Sequence, residues 1–475
     1  MYFNNVEIQD LTPGVTSTFP PVLVVWYGDA ATMLPSATPS TDPRPAGAAQ
    51  DADIRRATVE RVIRRLIPYI FLCYVVAYID RVNIGFATRE LQRDLGLSDA
   101  AYGLGGGLFF LGYCLFEIPS NLILDRVGAR VWIARIMIVW GIVSMAMMFV
   151  VGQWSFYAMR VLLGIAEAGF FPGMVLYLTY WIPSADRARA GALFMTAAPV
   201  AVLIGAPLSE SLLALDGWLG LAGWQWLFLV EGFPAVVLGV IALVFLTDRP
   251  EQAQWLQAHE REWLGRTMAE ERRQREAHHT GSHLATLLNG RVVLICFIYF
   301  LNTLVTYGVF LWLPRILTDA SGYRGAKLSA ITAIPFAVAL VGMVLIGRHS
   351  DRTRERKWHV AVCALMGATG LLIAASAGTN VALIVCAFAL SQLGQRSVQG
   401  VFWAIPPIFL GGTAAAAGIA LINSVGNLGG FVGPTVMGWL RGFSGSYAAG
   451  LLVLAAALIL EAALVASLKL PKEAK

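Results

Sequence analysis

Along most of this chain, apolar residues run in stretches of about twenty, broken by short polar loops. Such runs cross a bilayer as helices, because a helix satisfies its own backbone hydrogen bonds in lipid. Six can be placed at roughly 66–87, 101–121, 131–151, 155–175, 188–213 and 224–246. Six more fall at roughly 291–313, 327–347, 358–377, 381–403, 414–438 and 447–468. The pattern predicts an all-α integral membrane protein with twelve transmembrane helices in two six-helix bundles, residues 58–246 and 291–475. Residues 247–290 between them are the longest polar stretch and read as a cytoplasmic linker. Glu251 to Glu276 has helical composition, and its sparse apolar side (Trp255, Leu256, Trp263, Leu264) suggests a helix lying on the membrane surface. Residues 1–57, rich in Pro, Ala, Thr and Ser, read as a disordered tail. Val22 to Tyr27 is too short to span, and no basic segment precedes it as in a signal peptide.

Composition agrees: 57% of residues are hydrophobic and only 14% charged, against about a quarter charged in soluble proteins. The formal charge of +5 is modest, and the basic residues sit in short loops between spans, so no nucleic-acid partner is expected. Their placement sets the orientation. Arg55, Arg56, Arg61, Arg64 and Arg65 precede span 1; Arg126, Arg130, Arg187, Arg189, the linker and Arg348 to Lys357 fall on the same side. Lys469, Lys472 and Lys475 join them, so both termini are expected in the cytoplasm. The five cysteines lie in apolar stretches without CxxC spacing, and the six histidines lie in or beside loops. Neither pattern suggests a metal site, and no cofactor loop is present.

Charges inside apolar runs are the informative residues, because each costs a few kcal/mol at mid-membrane depth. Span 4 carries Arg160 and Glu167. Seven residues at about 100° each return Glu167 to within roughly 20° of Arg160, about 10 Å further along one helix face. Such a face suits an anion exchanged with protons; a structural pair locking two helices together is the alternative. Span 1 holds Asp80 beside Arg81, which point about 100° apart and address different neighbours. Either both line a central cavity, each paired with a charge on span 4, or both sit at the outer headgroup level.

A six-plus-six layout also shows an internal repeat. Asp125-Arg126-Val-Gly128-Ala-Arg130 follows span 2, and Asp351-Arg352-Thr-Arg-Glu-Arg356 follows span 8 at the same place in the second half. Spans 5 and 11 are both rich in Gly and Pro, as a rocking interface between halves requires. These paired loops resemble the signature of the major facilitator superfamily. Tyr78-Ile-Asp80-Arg81-Val-Asn83-Ile-Gly85, Gly112-Tyr113, Phe116-Glu-Ile-Pro-Ser-Asn121 and Arg160-x6-Glu167 resemble, more narrowly, its anion:cation symporter family. Among its branches the bacterial permeases for tartrate, phthalate and related organic acids are the most similar. The resemblance covers about 60 to 470, with Asn121 in place of the usual first Gly of the loop motif and Ala168 where Gly is common.

The resemblance implies that Arg81 and Arg160 contact a substrate carboxylate, that Asp80 and Glu167 take up protons, and that Tyr113 donates a hydroxyl. Tyr78 shares a stripe with Arg81 and joins the candidate substrate site. Asp125, Arg126, Gly128, Arg130, Asp351 and Arg352 are implied to gate rather than to bind; Glu117, just before Pro119 near the cytoplasmic end of span 2, is placed to stabilise the inner gate rather than to bind ligand. In the second half Gln392, Arg396 and Gln399 form a polar stripe, and Asn423 and Asn427 lie one turn apart. Arg396 and Asn423 are its substrate-binding candidates. Together these point to proton-coupled uptake of a small organic anion by a monomer in the bacterial inner membrane. A proton-driven exporter of amphipathic compounds is the alternative on the same fold. An enzyme lacks any nucleophile, metal or cofactor motif in the spans, and a flux-free sensor lacks an added domain.

Overall fold

A computed structural model describes residues 46–277, 290–406 and 412–468. The expected basic tail Lys469, Lys472 and Lys475, and most of the expected 1–57 segment, lie outside these residues. The chain forms two compact units, Met1–Asp53 and Ile54–Lys475. Of the first, the described part is the start of helix Ala46–Phe86, which begins ahead of the expected boundary at 58. The second unit holds the spans.

Among the described residues, eleven helices are long and apolar enough to cross a membrane, and helix Gly412–Ser444 stands where the span at 414–438 is expected. Spans 1 to 3 are Ala46–Phe86, Asp99–Val127 and Ala129–Ala146. Span 4 is two helices, Gln153–Glu167 and Phe170–Trp181. Spans 5 and 6 are Ala197–Leu213 and Gly223–Phe245. Spans 7 to 10 are Gly290–Ser321, Ala326–Thr353, Lys357–Ser376 and Val381–Phe402. Span 11 is Gly412–Ser444 and span 12 is Ala448–Ser467. Side chains cap several ends: Ser98 Oγ accepts the Ala101 N–H at 3.1 Å and Asn380 Oδ1 the Leu383 N–H at 3.1 Å. Large apolar side chains such as Leu122, Ile142, Val244 and Phe443 remain exposed along the spans, where acyl chains cover them.

Spans 3 and 6, 2 and 4, 9 and 10, and 9 and 12 pack within the halves. Span 2 against 11 and span 5 against 8 join one half to the other. The linker departs from expectation. Its helix, Ala258–Ala277, buries Leu264 and Met268, and Leu256 just ahead of it, against the protein rather than laying its apolar side on lipid. Ion pairs fix it there, Arg61 to Glu260 at 2.7 Å and Arg187 to Glu271 at 3.0 Å, and the Ser184 N–H adds a bond to Glu271 at 2.8 Å. This end of the bundle is the linker face; the loops after spans 1, 5 and 7 lie on the opposite face.

Candidate substrate and coupling site

Span 4 breaks where its carboxylate stands. Glu167 is the last residue of its first helix, Ala168 is extended (φ −55°, ψ 131°), and Gly169 is left-handed at φ 86°. A Cβ on Gly169 would lie 2.3 Å from Ser120 Oγ, so glycine is required both for the turn and for the approach of span 2. The break comes just past Glu167, so the helix face predicted from Arg160 to Glu167 is continuous and ends at the carboxylate. Discontinuous helices of this kind form ion and substrate sites in transporters.

Arg81 meets the end of the first helix. Its Nη2 makes an ion pair with Glu167 Oε1, and its Nη1 donates to the Tyr307 hydroxyl of span 7 at 3.1 Å. The guanidinium also faces the rings of Tyr78, Phe109 and Tyr113 at 5.4, 5.4 and 5.6 Å. Asp80 points elsewhere, as its position one residue away dictates. Trp140 Nε1 of span 3 donates to it at 2.9 Å, Ser144 Oγ donates to the other oxygen, and Asn83 Nδ2 adds a 3.4 Å bond. Of the two pairings expected with span 4, only Arg81–Glu167 is a direct contact. Asp80 feels Arg160 as a charge without contacting it, because span 3 supplies the donors that hold its carboxylate. Asp80 is 1% exposed, so its carboxylate is enclosed by protein.

Arg160 is 1% exposed and has no carboxylate within ion-pair distance among the described residues. Its Nε reaches the Gly105 carbonyl at 3.4 Å, its plane faces Phe109 at 5.0 Å, and Nη1 has no partner there. Arg396 is placed similarly in the second half. It is 5% exposed, donates to Gln399 Oε1 at 3.2 Å, lies 5.7 and 5.9 Å from the Phe310 and Phe336 rings, and leaves Nε unpaired. Tyr78 and Tyr307, both packed edge-on to Phe310, link Arg81 to Arg396 through one aromatic cluster, while Arg160 and Arg396 are the two without a carboxylate among the described residues. A buried guanidinium without an anion is unfavourable in low dielectric, so these two groups are suited to receive one.

Other candidates fall outside this cluster. Asn423 donates to Glu117 Oε1 at 2.5 Å, with Ser424 and Asn427 on the other oxygen at 3.4 and 3.3 Å. Its amide is therefore taken up by a clasp between spans 2 and 11. The Asp125 side chain lies outside the described residues, and Arg126 is exposed. Gly128 (φ 101°) and Arg130 close on Asp248 at the end of span 6, the Arg130 N–H donating at 2.8 Å. Asp351 accepts from Arg356 at 2.5 Å, and Arg352 is exposed. Both loops that are describable thus bond within their own half. On the opposite face the halves are tied by Arg89 to Asp319 at 2.7 Å, Arg315 to Gln92 at 3.1 Å, and the Gly325 N–H to Glu210 at 2.6 Å. No group of three or more His, Cys, Asp or Glu fit to hold a metal occurs among the described residues.

Sequence reasoning misses Trp140, Ser144 and Glu231. Glu231 was legible, being a lone carboxylate in an otherwise apolar span, the same signal that marks Glu167. Nothing in the sequence distinguishes Ser144 or Trp140 from packing residues.

Comparison with known proteins agrees with this architecture. The Major Facilitator Superfamily profile matches residues 70–434, and the chain belongs to that superfamily. It is a membrane transporter and not an enzyme. A protein of Agrobacterium vitis named "Putative tartrate transporter" is 49% identical over 87% of this chain and 94% of its own. A "Quinolone resistance transporter" of Acinetobacter baumannii is 41% identical over 84% of this chain and 92% of its own. The inward-open xylose transporter XylE from E. coli superposes with a TM-score of 0.67 at 17% identity, covering 86% of this chain and 97% of that one, and shares the fold.

Proposed function

We propose that this protein imports a small organic anion together with protons by alternating access, with the linker face and both termini in the cytoplasm. The observation that carries the reading is the pair of buried guanidinium groups, Arg160 and Arg396, without a carboxylate partner among the described residues. An anion bound between them relieves both, one from each half. Asp80 and Glu167, each within reach of an arginine's charge, bind protons more readily once the anion neutralises that charge, and by linkage a proton strengthens anion binding in return. The 58–246 and 291–475 halves then rock about the site, and the 247–290 segment joins them on the cytoplasmic side.

Tartrate enters as the first acid to test, because a relative nearly half identical over 94% of its length is named for it. The relative named for quinolone resistance supports export as a second reading on the same fold. Like charge at the arginines opposes cationic drugs in a low-dielectric site. Proteoliposomes separate the two. Uptake of labelled tartrate or another acid of a carboxylate panel, accelerated by an inward proton gradient, supports import. Acid-independent behaviour combined with quinolone efflux sinks it.

A further inference from the structure

Glu231, in span 6, is 2% exposed and has no ion-pair partner among the described residues. Its Oε1 accepts from Ser209 Oγ of span 5 at 2.8 Å, and Asn83 of span 1 lies beside it. Asn83 in turn donates from Nδ2 to Asp80 Oδ1 at 3.4 Å. In this run from Glu231 to Asp80, two buried atoms have no partner among the described residues: Glu231 Oε2 and Asn83 Oδ1. An ionised Glu231 offers acceptors only: the second Nδ2 hydrogen of Asn83 can turn to it, but Asn83 Oδ1 then stays without a donor, away from water. One proton on Glu231 Oε2 satisfies both at once, because its O–H then donates to Asn83 Oδ1 and leaves the Asn83 NH2 turned to Asp80.

The charged surroundings are few. Asp80 faces Glu231 from span 1, with Arg160 of span 4 acting on Asp80 behind it. Trp140 and Ser144 of span 3 bond Asp80 and carry no charge. Glu210, next to Ser209, turns away to the Gly325 N–H, and Asp94 is bound to Trp224 Nε1 at 2.9 Å near the start of span 6.

We propose that Glu231 is a further proton-binding residue of the coupling site, joined to Asp80 through the Asn83 amide so that one proton serves both carboxylates. This rests on the proton-coupled reading above. In one arrangement Glu231 is the acid, its O–H donates to Asn83 Oδ1, and Asn83 Nδ2 donates to the Asp80 carboxylate. In the other, the O–H bond on Glu231 has broken, one has formed on Asp80, and the negative charge has moved the opposite way. The amide has turned over, so that Asp80 O–H donates to Asn83 Oδ1 and Asn83 Nδ2 donates to Glu231. No proton enters or leaves. An anion that neutralises Arg160 weakens the field holding Asp80 charged and tips the pair to the second arrangement. Asp80 thereby gains a proton without first opening to water.

An instructive contrast lies in the other half. Asn302 of span 7 donates to Glu461 Oε1 of span 12 at 3.3 Å, and again Asn302 Oδ1 and Glu461 Oε2 are the unpaired atoms. The same hydrogen-bond accounting applies to Glu461, but among the described residues no ionisable side chain bonds that pair as Asp80 bonds Asn83.

Glu231→Gln is the test, since glutamine keeps the shape, donates to Asn83 and accepts from Ser209, yet carries no exchangeable acid proton. Infrared spectra of the purified protein at neutral pH should lose one protonated-carboxyl carbonyl stretch relative to wild type. In proteoliposomes with labelled tartrate, half-maximal proton-driven uptake should move to more acid pH by about one unit, with counterflow retained. Glu461→Gln should lose its own carbonyl band and leave the pH profile in place. An unchanged band in Glu231→Gln means an ionised Glu231 and overturns the inference. A lost band with an unshifted profile, or the same shift in Glu461→Gln, overturns the exchange with Asp80. Wild-type uptake indifferent to the gradient overturns the symport reading and the coupling role with it. That failure is recognisable, because the infrared measurement needs no gradient.

Discussion

Arg81 and Glu167 form an ion pair between span 1 and the break in span 4, with 9% of the guanidinium side chain and none of the carboxylate side chain exposed. Each is the other's counter-charge where water is excluded, so loss of either leaves a lone charge, a cost of about 3–5 kcal/mol. Glu167→Gln should lower the melting temperature in detergent and abolish pH-driven accumulation while exchange of substrate persists. Adding Arg81→Gln should restore much of the thermal stability and none of the transport. Full accumulation by Glu167→Gln would remove the residue from coupling.

For Arg160 the expected signature is intolerance of lysine. A guanidinium offers two parallel donors to a carboxylate, and an ammonium offers a point charge. Arg160→Lys should weaken substrate binding by about tenfold or more, nearly as much as Arg160→Ala, costing about 1.4 kcal/mol or above. Calorimetric titration with the transported acid reads this directly; wild-type affinity in the lysine variant would place the anion elsewhere.

The turn at Gly169 gives a prediction about geometry alone. A side chain at φ 86° meets a steric cost of about 1–2 kcal/mol, and Ser120 Oγ stands in its way. Gly169→Ala should lower stability and also substrate affinity, since the turn sets where Glu167 ends. Adding Ser120→Gly should recover part of the stability. No recovery would mean that backbone strain, not the contact with span 2, dominates.

Glu117 gathers Asn423, Ser424 and Asn427 across the halves, and Cys114 one turn away donates to the Ser424 carbonyl at 3.3 Å. That thiol is a built-in reporter. In a Cys386→Ser background, which removes the exposed cysteine, Glu117→Ala should speed maleimide labelling of Cys114 severalfold. Unchanged labelling would show that the clasp does not hold the halves together.

The linker contact has a defined pH range. Burial pushes the Glu271 carboxyl up, but the Ser184 N–H and the Arg187 guanidinium outweigh it and hold the group below the usual carboxylate range. A depressed folded-state pKa contributes stability above the ordinary value of about 4.3 and loses it as pH falls through the lower folded value. Hydrogen exchange over residues 258–277, taken relative to the intrinsic amide rate at each pH, should therefore be flat from neutral to mildly acid pH and rise only below about pH 4. Glu271→Gln should raise it at neutral pH.

The spans, the repeat and the intramembrane charges were readable because each leaves a one-dimensional trace: a run of apolar residues, a recurring motif, a charge out of place. Pairings across helices leave none. Arg81 meets Glu167 across two helices, at the last residue before span 4 breaks, and the turn there rests on a single glycine among many. Asn423 looks free along span 11 and is occupied only because Glu117 arrives from the other half. The linker's apolar residues mark a buried side, and only the fold decides between lipid and protein as what buries it.

Where spans 2 and 11 meet, main chain lies against main chain. A Cβ on Gly103 would come within 2.5 Å of the Pro434 carbonyl oxygen, and one on Gly438 within 2.4 Å of that of Asp99. Interlocked side chains make a seam behave like a gear, because each tooth must be withdrawn before the surfaces can shift. Bare backbone has no teeth, so under the proposed rocking this part of the seam would serve as a plain bearing between the halves. Its tolerance is set by the width of a methyl group, and wear would show in the speed of the cycle before it showed in the grip on the cargo.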